Sequence, residues 1–151
     1  MNIRWLEGPQ KGEPIPLWEL ARDGVHADHL PLDPSQFEPV IAALSRGCGY
    51  VARDEVRLDP ETPNLDAILA KFTPEHSHAE DEVRFVLSGD GTFDIRSRDD
   101  RWMRVDVAAG DLLIIPRDRH HRFTLGDSRH IRCVRLFQDP VGWVAHYREA
   151  A

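Results

Sequence analysis

The chain has 151 residues and a mass of 17.3 kDa, which is the usual size of one domain. Its 26 acidic and 19 basic residues give a net charge of −7, and the basic residues are scattered among the acidic ones. This distribution argues against nucleic acid as the main partner. No apolar run approaches the ~20 residues of a membrane span, and the start of the chain lacks the apolar stretch of a secretion signal. We therefore expect one cytoplasmic domain over residues 1–151, with no nucleic-acid or membrane partner.

The first part of the chain, residues 1–72, is punctuated by prolines and contains one strong helix signal. Apolar residues repeat at helical spacing after Pro34, where Asp33 or Ser35 can cap the helix, and Gly47 stands where a C-terminal cap belongs. Shorter helices are predicted over two further stretches, 16–21 and 65–71. We expect this part either to pack on the outside of the remaining structure or to extend its sheets.

From residue 73 onward, apolar and polar residues alternate with the period of a strand. Strands are predicted over residues 83–87, 92–96, 102–107, 112–115, 121–125 and 131–137. The four residues Ser88–Gly91 are predicted to form the turn between the first two of these strands. Six short strands without helical crossovers predict antiparallel sheets that form a sandwich or a barrel. We expect a mainly β fold in which residues 73–148 form the barrel core.

Two histidines and a carboxylate precede the first of these strands. His76 and His78 lie two residues apart, so on a strand they share a face, and Glu82 has the same parity. Glu82 reaches that face if the polar residues between form a turn that preserves the register. The alternative is a surface loop with incidental histidines and acids. Because a strand follows directly and a second histidine cluster follows about forty residues later, we favour a metal site.

The second cluster contains the adjacent pair His120 and His121, of which only one can point inward on a strand. If Phe123 and Leu125 face the core, His121 does too and His120 faces out. Three imidazoles and a carboxylate suit iron, nickel, copper or zinc. Four protein ligands would close a tetrahedral zinc site, whereas octahedral iron or nickel would keep two positions open for a chelating substrate.

The spacing of these residues resembles the two metal-binding motifs of the cupin superfamily, a double-sheet jelly roll. The two motifs read His76-x-His78-x3-Glu82-x6-Gly89 and Gly110-x5-Pro116-x4-His121. Where the family usually has a glycine two residues after the proline, this chain has Asp118. The resemblance implies a cupin double-stranded β-helix, here with a few N-terminal helices.

Within the cupins, the chain resembles the acireductone dioxygenases of the methionine salvage pathway. The main matching runs are EHSHAEDEVRF at residues 75–85 and GDGTFDIR at residues 89–96. Further matching blocks are 100–102, 110–112, 121–124, 134–137 and, more loosely, 142–148. The resemblance covers about Pro63–Arg148, and the first sixty residues add only a similarity in length and helical content.

This resemblance implies roles for individual side chains. The metal ligands that it implies are His76, His78, Glu82 and His121. Arg84 corresponds to the substrate-binding arginine, and strand alternation places it on the same face as Glu82, although a structural salt bridge to a nearby acid is the alternative. The substrate-pocket aromatics that it implies are Phe72, Phe123 and Phe137, for which ordinary core packing is the alternative.

The reaction that the resemblance implies uses O2 and the acireductone 1,2-dihydroxy-3-keto-5-methylthiopentene, with one Fe(2+) or Ni(2+) per chain. With iron the products are formate and 2-oxo-4-methylthiobutanoate. With nickel they are formate, carbon monoxide and 3-methylthiopropanoate. The sequence does not choose between the two metals, or between a monomer and a homodimer.

Two other functions remain open. One is a different metal-dependent cupin enzyme, such as another dioxygenase or a sugar isomerase, and Arg84 together with the run His121-Arg122-Phe123 weighs against it. The other is a non-catalytic, metal-dependent ligand sensor. A sensor normally carries a second domain, and we expect a chain of this length to leave no room for one of ordinary size.

Overall fold

The fold is known from a computed structural model, which describes residues 1–140 and 142–148. The prediction of a mainly β fold is confirmed. The strands are β1 (Asn2–Trp5), β2 (His26–His29), β3 (Ala52–Leu58), β4 (His76–Ser77), β5 (Glu82–Arg96), β6 (Trp102–Ala108), β7 (Asp111–Ile115), β8 (His121–Leu125), β9 (Ile131–Phe137) and β10 (His146–Tyr147). The helices are α1 (Leu17–Arg22), α2 (Pro34–Cys48) and α3 (Leu65–Phe72). None of these helices has the length and apolar character needed to cross a membrane.

The strands form two antiparallel layers that share the long strand β5. One layer has the order β1-β6-β5-β8-β4-β10, and in the other β5 pairs with β7 and β9, which pair in turn with β2 and β3. The first half of β5 belongs to the second layer and its second half to the first layer, with a register shift between Val86 and Ser88. A bulge of this kind bends a strand and increases its twist. β5 therefore turns the corner between the layers.

The predicted turn at Ser88–Gly91 is wrong, because β5 runs through it without a break. The glycines of this segment allow close approach of neighbouring chain. A Cβ at Gly91 would lie 2.5 Å from the ring of Phe123, and a Cβ at Gly89 would lie 2.0 Å from the carbonyl oxygen of His130. Glycine inside a strand often marks such a contact or a bulge.

The predicted helix after Pro34 is confirmed, but its predicted end at Gly47 is wrong. Asp33 caps its start by accepting a hydrogen bond from the backbone nitrogen of Ser35 at 2.9 Å. The helix ends after Cys48, and Gly49 takes the left-handed conformation with φ of 74° that closes many helices. Since this conformation suits glycine best, Gly49 and not Gly47 is the cap.

The N-terminal part shows both arrangements that the sequence left open, because its strands extend the sheets and its helix α2 packs on the outside. Its three strands each pair with a barrel strand: β1 with β6, β2 with β7, and β3 with β9. On the outer face of the second layer, α2 contributes Phe37 to a core cluster that includes Val83 and Phe85. The opposite face of β5, which carries Glu82 and Arg84, is left to line the barrel interior.

Candidate metal centre

The four predicted ligands meet inside the barrel. They come from β4, from the loop that follows it, and from the first residues of β5 and β8, and they are His76, His78, Glu82 and His121. Each is no more than 4% exposed, and one possible ligand atom of each lies within 4.8 Å of all the others. Sheet pairing sets this arrangement, because His121 is the register partner of both His76 and Ile95.

The three histidines are oriented by backbone carbonyl groups. The Nδ1 atoms of His76, His78 and His121 lie 2.8, 2.9 and 2.9 Å from the carbonyl oxygens of Pro74, Val144 and Arg119. Since a carbonyl oxygen only accepts, each Nδ1 carries the proton and donates it. Each Nε2 then keeps its lone pair for a metal, which is how metal-binding histidines are usually held.

Two buried polar atoms at the centre have no hydrogen-bond partner among the described residues. They are Oε2 of Glu82 and Nε2 of His121, which lie 2.5 Å apart. Nε2 of His78 lies 3.4 Å from the same carboxylate oxygen. Neighbouring ligands of a metal bound at about 2.1 Å sit about 3 Å apart, a value that lies between these two separations. A buried polar atom without a partner is costly, and a cation between these atoms removes that cost.

Burial and mutual charge set the protonation states of the ligands. Burial is the largest of the causes that lower the pKa of His76 to about 4. Burial also acts to raise the pKa of Glu82, but the positive charge of Arg84 and the adjacent imidazoles of His121 and His78 outweigh it and hold the pKa well below its usual value. Burial acts to lower the pKa of His78, but the negative charge of the adjacent Glu82 outweighs it and raises the pKa. Glu82 is therefore a carboxylate and His76 a neutral imidazole, the forms that bind metals.

Arg84 lies beside the ligands, on the face that strand alternation predicts. It is 4% exposed, and its Nε donates a hydrogen bond to Oε1 of Glu82 at 2.8 Å. Burial acts to lower the pKa of Arg84, but the negative charge of Glu82 outweighs it and raises the pKa. The salt bridge considered from the sequence therefore exists. It uses one of the five N–H donors of a guanidinium, so it does not by itself exclude contact with a ligand.

The predicted aromatic residues lie around the centre at different distances. The Phe123 ring centroid is 5.8 Å from the guanidinium carbon of Arg84. The ring of Phe72 lies 6.3 Å from that of His76. Phe137 is one step removed, because its ring packs at 4.8 Å against Trp143.

The two adjacent histidines of the second cluster differ in burial and direction, as predicted. His121 is 2% exposed and faces the other ligands, whereas His120 is half-buried and lies outside the cluster. The loop before them contains Asp118, whose φ of 64° is the left-handed conformation. Asp118 thus adopts at this position a conformation that glycine supplies most easily, and aspartate is among the few other residues that tolerate it.

Sequence reasoning missed two contributors from the end of the chain. The carbonyl group of Val144 holds His78, and no side-chain pattern can reveal a backbone acceptor. The indole ring of Trp143 stacks on His78 with ring centroids 5.8 Å apart, and it lies 5.3 Å from the guanidinium carbon of Arg84. Its Nε1 is buried without a hydrogen-bond partner among the described residues. The loose match at residues 142–148 was the only available signal.

Comparison with known proteins shows which family this chain resembles. The family model described as "ARD/ARD' family" matches residues 9–145. The chain is 38% identical over 135 residues to an acireductone dioxygenase of Heterostelium pallidum, covering 89% of this chain and 91% of that protein. It is 42% identical over 118 residues to that of Dictyostelium discoideum, covering 77% and 80% of the two chains.

A solved structure agrees with the sequence comparison. It is the acireductone dioxygenase from Bacillus anthracis with a cadmium ion in its active centre, which superposes with a TM-score of 0.85. The identity is 31%, and the match covers 97% of each chain. Because the family model spans nearly the whole chain and relatives match across most of their own length, the chain belongs to the acireductone dioxygenase family.

Proposed function

We propose that the protein cleaves the acireductone 1,2-dihydroxy-3-keto-5-methylthiopentene with O2 in methionine salvage. The observation that carries this proposal is the pairing of a cluster of three histidines and one glutamate with Arg84, which is buried on the same strand face as that glutamate. Membership of the acireductone dioxygenase family supports the choice of substrate. The products are formate and 2-oxo-4-methylthiobutanoate with iron, or formate, carbon monoxide and 3-methylthiopropanoate with nickel.

The ligand set fits one Fe(2+) or Ni(2+) per chain. Three imidazole nitrogens and one carboxylate oxygen suit both ions, and an ion that takes six ligands would keep room for a chelating substrate beside these four residues. When bound, the ion supplies Lewis-acid chemistry and a template for two adjacent substrate oxygens. Glu82 and the three histidines direct their lone pairs toward one point. A hydrogen bond from Nδ1 of each histidine to a backbone carbonyl oxygen fixes the orientation of its ring.

Arg84 supplies fixed positive charge beside the ligands. The enediol of an acireductone becomes an anion when it loses protons, and the net charge of −7 means that the protein as a whole repels it. A buried guanidinium, held by Glu82, stabilises such an anion without having to reorganise. The surrounding rings, including Phe123 and Trp143, exclude water and so strengthen this interaction.

The experiment that tests this proposal is a single-turnover reaction followed by product analysis. Purified protein is loaded separately with iron and with nickel, mixed with acireductone under anaerobic conditions and then exposed to O2. We expect formate from both forms and carbon monoxide from the nickel form alone. In parallel, Glu82→Ala removes the carboxylate ligand and should abolish both tight metal retention and oxygen uptake. Unchanged activity of Glu82→Ala would overturn the assignment of the site, and loaded wild-type protein without turnover would overturn the substrate.

A further inference from the structure

The end of the chain runs alongside the metal motif and is attached to it at several points. We call residues 138–140 and 142–148 the C-terminal segment. It leaves the barrel at the end of β9, and it returns to the sheet as β10, where His146 pairs with Ser77 and Tyr147 with His76. Between these two points, Trp143 and Val144 lie against the ligand His78.

The start of the C-terminal segment is held by Glu80, which lies between the ligands His78 and Glu82. One carboxylate oxygen of Glu80 accepts a hydrogen bond from the backbone nitrogen of Gln138 at 2.9 Å, and the other accepts one from that of Asp139 at 3.2 Å. The two carboxylate oxygens of Glu80 therefore accept hydrogen bonds from two consecutive backbone N–H groups directly after β9.

The end of the C-terminal segment is held by Glu75, which directly precedes the ligand His76. The carboxylate of Glu75 accepts a hydrogen bond from Nη1 of Arg148 at 2.8 Å, and its carbonyl oxygen accepts one from the backbone nitrogen of Arg148 at 3.2 Å. One glutamate on each side of the H-x-H pair thus fastens one end of the segment.

Between these two attachments lies the carbonyl group of Val144, which accepts the Nδ1 proton of His78. This acceptor differs from those of the other ligands. His76 and His121 are each held by the carbonyl group two residues earlier in the chain, so their orientation is local. His78 is held from 66 residues away, so its orientation requires the C-terminal segment to be in place.

We propose that Glu80 and Glu75 are positioning residues that orient the metal ligand His78 by holding the C-terminal segment, and with it the carbonyl group of Val144, against the motif. The inference deepens the proposed function and rests on its metal centre, although not on the identity of the substrate. Neither glutamate is one of the four metal ligands, and the carboxylate of each accepts hydrogen bonds from the C-terminal segment. Loss of an acceptor that orients a metal-bound histidine typically weakens metal binding by about 10- to 100-fold.

The test uses full-length protein loaded with Zn2+ and labelled with 15N-histidine, in which the three ligand Nδ1 protons are followed by NMR. In Glu80→Ala we expect the His78 proton to exchange with solvent at least about tenfold faster, and zinc to dissociate about 10- to 100-fold faster into a chelator. The His76 and His121 protons should keep their wild-type exchange rates. Glu80→Gln retains one carbonyl acceptor and should lie between Glu80→Ala and the wild type.

Two further variants complete the design. Arg148→Gln removes the guanidinium that binds Glu75 and also Asp100 at the other end. It should affect the His78 proton in the same direction, which keeps the proposal testable if Glu80→Ala fails to fold. Glu38→Ala is the matched control, because Glu38 also accepts two hydrogen bonds, both from Arg53 on the surface, and it should leave all three protons unchanged.

Equal acceleration of all three protons would indicate general loosening and would overturn the proposal, as would wild-type behaviour of the His78 proton in both Glu80→Ala and Arg148→Gln. The proposed function can fail separately. If only the His78 proton exchanges faster in the variants, and the wild-type protein does not turn over acireductone, this inference stands and only the substrate is rejected.

Discussion

Asp94 holds two neighbouring strands to β5 close to the metal centre, and its substitution by asparagine should destabilise the protein. Its carboxylate is 4% exposed and accepts hydrogen bonds from Arg104 of β6 at 2.7 and 2.9 Å and from Arg122 of β8 at 2.9 Å. Arg122 directly follows the ligand His121. The same carboxylate therefore connects the strand that carries a ligand to the centre of the sheet.

The size of the effect follows from these contacts. Asp94→Asn removes the negative charge and replaces one acceptor oxygen by an NH2 group that faces arginine donors. Hydrogen bonds to charged groups are worth about 1.5–3 kcal/mol each, but both guanidiniums are about one-third exposed and regain hydration. We expect a loss of about 3 kcal/mol in the free energy of unfolding. For a chain of this length, that corresponds to a fall in Tm of roughly 6–12 °C.

The effect should depend on pH. Burial acts to raise the pKa of Asp94, but hydrogen bonds from Arg104 and Arg122 outweigh it and lower the pKa below its usual 3.8. An acid whose folded-state pKa is lowered stabilises the protein above its unfolded pKa, and this stabilisation is lost as the pH falls through the folded value. The difference between wild type and variant should therefore be largest above about pH 5 and narrow below about pH 4.

Thermal and denaturant unfolding of the metal-free proteins between pH 3 and pH 8 measures both quantities. The control is Asp106→Asn, because Asp106 also binds an arginine, Arg4, at 2.7 Å, but both side chains are partly exposed. An exposed pair of this kind should contribute less than about 1 kcal/mol. Equal Tm values for the two variants, or a difference that does not change with pH, would refute the reasoning.

Three further predictions concern the site and its support. His121→Ala should lose bound metal and His120→Ala should keep it, as measured by metal analysis after gel filtration, and the opposite result would mean that the register of β8 is wrong. Arg84→Met should keep its metal but lower kcat/KM by about 10²- to 10³-fold, the usual cost of losing one fixed electrostatic contact, and loss of the metal would instead indicate a purely structural arginine. Gly91→Ala should lower the free energy of unfolding by about 2 kcal/mol because its Cβ meets the Phe123 ring. Wild-type stability in a denaturant titration would contradict that clash.

Strand alternation was enough to predict much of the site. It placed Glu82 and Arg84 on one face and selected His121 over its neighbour, and the structure shows both. These predictions succeeded because a strand has a period of two, so one buried aromatic such as Phe123 fixes the direction of every residue near it. The type of metal is not encoded in this way, since iron and nickel accept the same donor atoms.

Other features could not be read from the sequence, for physical reasons. Ser88–Gly91 has the composition of a turn but lies within a strand. Glycine is needed there because the Phe123 ring packs against Gly91, a contact that the sequence does not reveal. The strand β3 reads ARDEVRL, in which only Val56-Arg57-Leu58 alternates in polarity, because it lies at a sheet edge with most of its side chains exposed. The Val144 carbonyl acts through the backbone, which is the same for almost every residue type.

The sharing of β5 between the two layers also affects the order in which the protein folds. Glu82 pairs with β7 through one half of this strand, and His121 pairs with Ile95 through the other half. The ligands therefore meet only after both layers have closed on the same strand, a step that joins distant parts of the chain and is intrinsically slow. A metal ion bound by all four ligands stabilises the closed barrel and not the unfolded chain, so it acts mainly by slowing unfolding. Metal binding is therefore expected to lower the unfolding rate of the barrel more than it raises the folding rate.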